Sequence, residues 1–433
     1  MSATLPRIVI VGGGAGGLPL ATLLGRKLGR KGRAEITLVD DCNLHVWKPR
    51  FHEVATGAID ADLDAVNYRA HARLNHYYFD PGRLRTVDAQ QRRIHLEPLR
   101  DDSGNEVLPE RELDYDYLVL ALGSRSNDFG TPGVQEHCLF LDSHEQAERF
   151  REQFLHTCLR ANYEHRSLSV AIVGGGATGV ELAAELHHAV DMLRYYGHEH
   201  LDRTRLDVQL VEAAPRVLPG LSERVSRAAH QRLEAMGVRV HTDTLIQRTE
   251  TNRFVSGDGQ AIESDLLVWA AGVRAPALLA DIPGLETNRV NQVVVDEQLR
   301  AQGQERIFAL GDCAACQPRG HERPLPPRAQ AAQQMAQHLA RELPRMALHD
   351  EAPRTFVYRD RGSLVSLSNY SSVGMLMGGL KGGSFFVEGG LARIMYISLY
   401  RLHQAVLHGW PRTLLLLLGG HFRKLLRPRL KLH

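Results

Sequence analysis

A chain of 433 residues, 43% hydrophobic and 24% charged, is too long for one core and has no bias towards disorder, so two or three folded domains are expected. The balance of 52 Lys and Arg against 50 Asp and Glu, a net charge of +2, excludes nucleic acid as a general partner. Five cysteines without regular spacing exclude a disulfide framework and fit free thiols in a reducing compartment.

The first element is a strand over 8–11 that breaks into glycines and runs on into an apolar helix over 18–28. A single Arg7 before that short apolar run is no secretion signal, so a cytoplasmic protein is expected. Gly12, Gly14 and Gly17 have the G-x-G-x-x-G spacing. Such glycines turn the chain sharply, let backbone approach a pyrophosphate and leave helix-start N–H groups facing its charge. Asp40 closes the next strand, 36–39, where a carboxylate accepts hydrogen bonds from a ribose. Pro19 stands in the first turn of the helix and predicts a local irregularity there.

Residues 43–57 have no strong period and an unusual density of His, Lys and aromatics, which reads as a loop leading into a helix. Lys48 is there either a surface lysine of a packed connection or part of a cofactor wall. Short strands follow over 84–87, 93–96 and 117–122, with a polar turn over 101–106, and the last of them ends in Gly123.

A second fingerprint, Gly174, Gly176 and Gly179, follows the run 170–173 and opens a helix with Glu181 and Glu185 on one face. Residues 188–205 read as a longer helix with a polar turn. Glu212 ends the strand 208–211 and favours a free ribose 2′-hydroxyl, hence NADH over NADPH; Arg216 opposes that preference. The run 266–273, through Gly272, repeats the phrase 117–124, so the repeat is at the scale of domains.

A last buried strand, 306–310, ends in Gly311 and Asp312, an aspartate able either to bind a ribityl hydroxyl or to cap a following helix. Cys313 and Cys316 form a C-x-x-C read as opening that helix; with no second pair, and only His321 nearby, no metal site is expected. Pro326 and Pro327 precede a helix over about 328–343, on which Gln330 and Gln334 share a face.

From Gly389 to His433 there is no Asp or Glu, while Arg393, Arg401, Arg412, Arg423, Lys424, Arg427, Arg429 and Lys431 are basic. Leu391, Ile394, Met395, Leu399, Leu402 and Val406 recur at helical spacing opposite Arg393, Arg401 and Gln404, with Trp410 at the end. A second apolar surface comes from 414–418, Phe422, Leu425 and Leu426. Basic charge beside apolar residues suits helices lying on an anionic membrane; burial on its own protein or at a dimer seam is the competing reading. No window holds the roughly 18 apolar residues that would cross the bilayer.

With both fingerprints, the closing Gly-Asp and the Trp47-Lys48-Pro49 loop on the page, the chain resembles type II NADH dehydrogenases, single-chain NADH:quinone oxidoreductases. The likeness runs from about Arg7 to His433. It is most specific at 47–49 with 52–55, at 177–182, at Ala329-Gln330 with Gln334, and at the proteobacterial-type ending 427–433. It implies non-covalent FAD on Gly12, Gly14, Gly17, Asp40, Lys48, Gly123, Gly311 and Asp312, and NADH on Gly174, Gly176, Gly179, Glu181, Glu212 and Gly272. Glu181 then lies near nicotinamide and flavin in an electrostatic or proton-handling role, with Lys48 a second catalytic candidate, and Gln330 and Gln334 border the quinone.

The fold class expected is α/β, with two Rossmann-type dinucleotide-binding domains and a C-terminal amphipathic-helix membrane anchor. FAD takes 1–125 and 296–345, NADH the inserted 126–295, and 346–433 carries surface helices from about 390. The expected enzyme moves a hydride from NADH to FAD and reduces a quinone, ubiquinone first, without pumping protons, at the cytoplasmic face of the inner membrane, with a homodimer as an open partner. The rivals are a disulfide or sulfide:quinone oxidoreductase using Cys313 and Cys316, and a flavin-bearing NADH sensor.

Overall fold

The computed structural model describes residues 5–61, 65–101, 103–196, 200, 202–368, 371–377 and 384–426. In chain order it places β1 (Arg7–Val11), α1 (Gly17–Lys27), β2 (Glu35–Asp40), α2 (Phe51–Ala55), α3 (Tyr68–Asn75), β3 (Tyr78–Pro81) and β4 (Tyr117–Leu120). Next come α4 (His144–Tyr163), β5 (Leu168–Val173), α5 (Ala177–Tyr195), β6 (Leu206–Val211), α6 (Glu223–Ala235), β7 (Arg239–His241) and β8 (Leu266–Trp269). The chain closes with β9 (Ile307–Ala309), α7 (Ala329–His349), β10 (Gly362–Leu367), β11 (Ser371–Met377), β12 (Ser384–Glu388), α8 (Gly389–His408) and α9 (Trp410–Leu426).

Contacts divide the chain into two units. The first comprises Met1–Trp47, Ala65–Arg125 and Val273–Arg359; the second comprises Lys48–Asp64, Ser126–Gly272 and Asp360–His433. The first unit thus resumes at Val273, earlier than the boundary of 296 drawn from the sequence, and the 48–64 loop and the C-terminal segment group with the second.

The first unit is built on a five-stranded parallel sheet in the order β9-β4-β1-β2-β3. Its central strands, IVIV in β1 and YLVL in β4, are buried on both faces, which is why they read as continuous apolar runs rather than alternating ones. Helix α1 packs on α7. A three-stranded antiparallel sheet of Leu84–Asp88, Arg93–Leu96 and Arg111–Asp114 occupies the predicted strand-rich stretch.

The second unit repeats the plan with a four-stranded parallel sheet, β7-β6-β5-β8. Val173, Val211, Leu267 and Trp269 meet Phe254 and Ile262 of the antiparallel sheet Ile246–Glu250, Arg253–Ser256 and Ala261–Glu263 in one core cluster. Its C-terminal portion is an antiparallel sheet β10-β11-β12 whose strands pack on α5 and α8.

Three local expectations are corrected. Helix α1 begins at Gly17 and runs through Pro19 as a regular helix, because a residue in the first turn needs no N–H partner within the helix. Asp312 caps no helix: Gly311–Cys313 is one tight turn, and the chain continues as the strand pair Ala314–Ala315 with Val293–Val294, so the C-x-x-C opens no helix either. Helix α7 extends past the expected end at 343, through Pro344, to His349.

Candidate functional site

The first cradle forms where β1 ends. Gly12, at φ +103°, donates its N–H to Val39 O at 2.8 Å, and a Cβ there would fall onto the Ala121 carbonyl. A Cβ on Gly17 would meet the Gly12 carbonyl, so helix and loop touch backbone to backbone; on Gly14 it would meet nothing within 4 Å. That open face lies at a helix start with no side-chain cap and no acidic residue in its first turn, a terminus fit for an anion. Asp40 accepts from the Gly13 N–H at 2.6 Å and the Cys42 N–H at 2.9 Å, pinning the loop while its carboxylate stands at the strand end.

Gly123 and Gly311 both adopt positive φ at the ends of β4 and β9, where chain passes close to the cradle mouth. Asp312 accepts the Ser124 hydroxyl at 2.8 Å, and its own backbone carbonyl accepts Gln292 Nε2 at 2.8 Å. Open glycine face, uncapped helix and the strand-end carboxylates of Asp40 and Asp312 are groups of the kind that fit the pyrophosphate, ribose and ribityl of an FAD.

The second cradle repeats these contacts. Gly174, at φ +113°, donates to Val211 O at 2.8 Å; Gly179 abuts the Gly174 carbonyl; Gly176 faces open space before an uncapped α5. Glu212 accepts from Gly175 N at 2.7 Å and Ala214 N at 2.8 Å, as Asp40 does in the first unit. Arg216 turns its guanidinium onto the carbonyls of Pro219 at 2.9 Å and Leu221 at 3.0 Å, so it is tied to its own turn rather than presented to a ribose phosphate. Gly272, at φ +60°, packs where a Cβ would strike the Phe129 ring.

Helix α5 carries its two glutamates inward. Glu181 is 7% exposed and accepts the Ser366 N–H of β10 at 2.9 Å, with the buried Tyr396 hydroxyl of α8 beside it. Burial pushes its carboxyl up to about 8, against the lowering effect of that N–H. Glu185, one turn on, is raised to about 7, first by burial and then by the charge of Glu53. Helix α2 brings His52 to the same place, its Nδ1 3.4 Å from Glu181 Oε2. Burial lowers that imidazole to about 4, so it is neutral at pH 7. Arg50 grips Glu53 with two bonds of 3.0 and 2.6 Å and lies 4.6 Å over the Tyr400 ring.

Lys48 lies in the second unit, with Nζ 3.3 Å from Asp142, a carboxylate further held by the N–H and hydroxyl of Ser126 at 2.8 and 3.1 Å. Gln330 and Gln334 sit on α7; the Gln334 amide both donates to and accepts from the Arg359 backbone, at 2.9 and 3.0 Å, and so ties that segment to the helix. Cys313 and Cys316 are buried free thiols pushed up by desolvation to about 11 and about 12, the opposite of an activated dithiol.

On α8 the residues turned into the protein are Ala392, Tyr400, His403, Gln404 and Leu407, while Leu391 and Ile394 are 62% and 64% exposed. The exposed apolar surface continues on α9 through Trp410 at 66% and Leu415 at 67%. Among the described residues no helix is long and apolar enough to cross a membrane. Arg427, Arg429 and Lys431 lie outside the described residues.

Sequence reasoning missed Asp142 and the convergence of Arg50, His52 and Glu53 on Glu181. The dense polar and aromatic composition of 43–57 was the available signal, but its partners come from segments far along the chain.

Comparison with known proteins places these features. Residues 6–336 match the family model for pyridine nucleotide-disulphide oxidoreductases. The chain is 44% identical to the type II NADH:quinone oxidoreductase of Haemophilus influenzae, over 99% of this chain and 100% of that one. It is 29% identical to the enzyme of the same name from Staphylococcus aureus, over 87% of this chain and 91% of that one. In fold it is similar to NDH2 of Plasmodium falciparum, solved in complex with NADH, with a TM-score of 0.78 at 19% identity over 92% of this chain and 94% of that one. It is also similar to the sulfide:quinone oxidoreductase of Aquifex aeolicus, with a TM-score of 0.73 at 17% identity over 93% and 92%. With its two acid-pinned glycine cradles and its full-length likeness, the chain belongs to the pyridine nucleotide-disulphide oxidoreductase family and, within it, to the type II NADH:quinone oxidoreductases.

Proposed function

We propose that this protein oxidises NADH and reduces a membrane quinone, ubiquinone being the expected one, through bound FAD and without pumping protons. The observation that carries the reading is the pair of cradles, each with an open glycine face and a pinning carboxylate, in one chain. Gly12, Gly14, Gly17, Asp40, Gly123, Gly311 and Asp312 would hold FAD; Gly174, Gly176, Gly179, Glu212 and Gly272 would hold NADH. Bound there, FAD supplies the two-electron chemistry that links hydride donor and quinone.

The protein's own part is binding, orientation and protons. The net reaction, NADH, a proton and quinone giving NAD⁺ and quinol, takes one proton from solvent. Glu181 is suited to deliver it, since burial leaves its carboxyl protonated at neutral pH. Lys48, paired with Asp142, is the second catalytic candidate. Gln330 is read as bordering the quinone; Gln334, whose amide is spent on Arg359, would act by shaping that wall. The outward apolar faces of α8 and α9, flanked by basic residues and a Trp, support attachment to an anionic membrane surface at its cytoplasmic side.

The test is anaerobic absorbance of the purified full chain, adding NADH and then a short-chain ubiquinone. An oxidised flavin band near ~450 nm should bleach and then return. Bleaching without recovery would favour the sensor or dithiol readings, and no band at all would remove FAD from the first cradle.

A further inference from the structure

Around Glu181 the charged and polar groups come from four elements. Arg50, His52 and Glu53 lie at α2; Glu181 and Glu185 on α5; the Ser366 N–H and Ser368 at β10; Arg393, Tyr396 and Tyr400 on α8. One of these groups, His52, stands between the buried carboxyl and a more open one. His52 presents Nδ1 to Glu181 Oε2 at 3.4 Å and Nε2 to Glu53 Oε1 at 4.0 Å. Side-chain exposure rises along the row, from 2% at His52 and 8% at Glu181 to 19% at Glu53, so Glu53 is the outer end. His52 Nε2 is buried with no hydrogen-bond partner among the described residues, which leaves that nitrogen open to a proton.

We propose that His52 is a proton relay that recharges Glu181 from the Arg50–Glu53 edge after each quinol is formed. The proposal rests on the reading above that Glu181 supplies a proton. The ring does not meet the reacting atoms; it acts through Glu181. When the Glu181 carboxylate is left bare, Glu53, protonated from solvent, gives its carboxyl proton to Nε2, and the Nδ1 proton passes to Glu181 Oε2, so that one O–H breaks at Glu53 and one forms at Glu181. One N–H bond forms as another breaks, no electron moves, and the ring is neutral before and after. A neutral imidazole is the side chain that can do this, since it holds one donor and one acceptor at once. Arg50 holds Glu53 by two bonds, with 4.0 Å left between Glu53 Oε1 and the ring.

The test uses the full chain with its FAD and resolves the two half-reactions by stopped flow across pH 6–9. In H52Q and E53Q, flavin content and the rate of bleaching by NADH should match the wild type. The quinone half-reaction should slow by about tenfold or more at pH 7–8, with a larger solvent isotope effect, and added imidazole should restore it in H52A. Equal loss in both half-reactions, or loss of flavin in H52Q and E53Q alike, would make the cluster structural and overturn the relay. An unchanged quinone step at every pH in both variants would overturn it as well. A wild-type protein that bleaches with NADH and never recovers with quinone would fail the parent reading instead, so the two failures are distinguishable.

Discussion

Glu181 and Glu185 are carboxylic acids held in a place where charge is unfavourable. Burial moves them from an ordinary 4.5 to about 8 and about 7, so the folded protein binds more protons than the unfolded chain between those values. Their contribution to stability is therefore fully present below about 4.5 and is lost as pH rises through 7 to 8. His52 has the opposite sign: its folded value of about 4 lies below 6.5, so its contribution appears as pH rises through that window and is complete above it. E181Q should accordingly melt higher than the wild type at pH 9, by roughly 2–4 °C, with a smaller difference at pH 5, measured by thermal unfolding at both. The same variant should keep its flavin band while NADH:quinone turnover falls by about tenfold or more. Unchanged turnover would remove Glu181 from the mechanism.

At the scale of elements, two glycines of one loop do different work and can be separated by the same substitution. G17A drives a methyl into the Gly12 carbonyl, so the β1–α1 turn must open and the fold should lose stability. G14A places its methyl in open space where a pyrophosphate would lie. That variant should fold with an unchanged melting temperature when stripped of cofactor, yet bind FAD at least about tenfold more weakly in a fluorescence titration. Helix α8 poses a separate question, since it keeps Gln404 inside and turns Leu391 and Ile394 out. Ile394→Asp with Leu415→Asp should release the protein from anionic vesicles in co-sedimentation while leaving turnover with a water-soluble quinone intact.

At the scale of the molecule, the two units are variations on one plan: strand, glycine turn, helix, second strand and pinning acid. The C-x-x-C belongs to neither copy of that plan, and its thiols are buried and raised in pKa. C313S/C316S should keep full NADH:quinone activity in a steady-state assay, and a collapse of activity with folding intact would revive the dithiol reading.

Much of this was legible in the chain itself. The glycine spacings, the apolar runs of central parallel strands and the acids at strand ends are local signals, because a tight turn and a buried strand constrain neighbouring residues directly. The inverted face of α8 was equally legible, since helical period alone separates its two sides. Only tertiary structure decided the environment of Glu181: its carboxyl is pushed up to about 8 by what buries it, and α2, β10 and α8 reach it from distant sequence. The same reason hid Asp142 behind Lys48 and tied Arg216 to the carbonyls of its own turn, for partners chosen by folding leave no periodic trace in sequence.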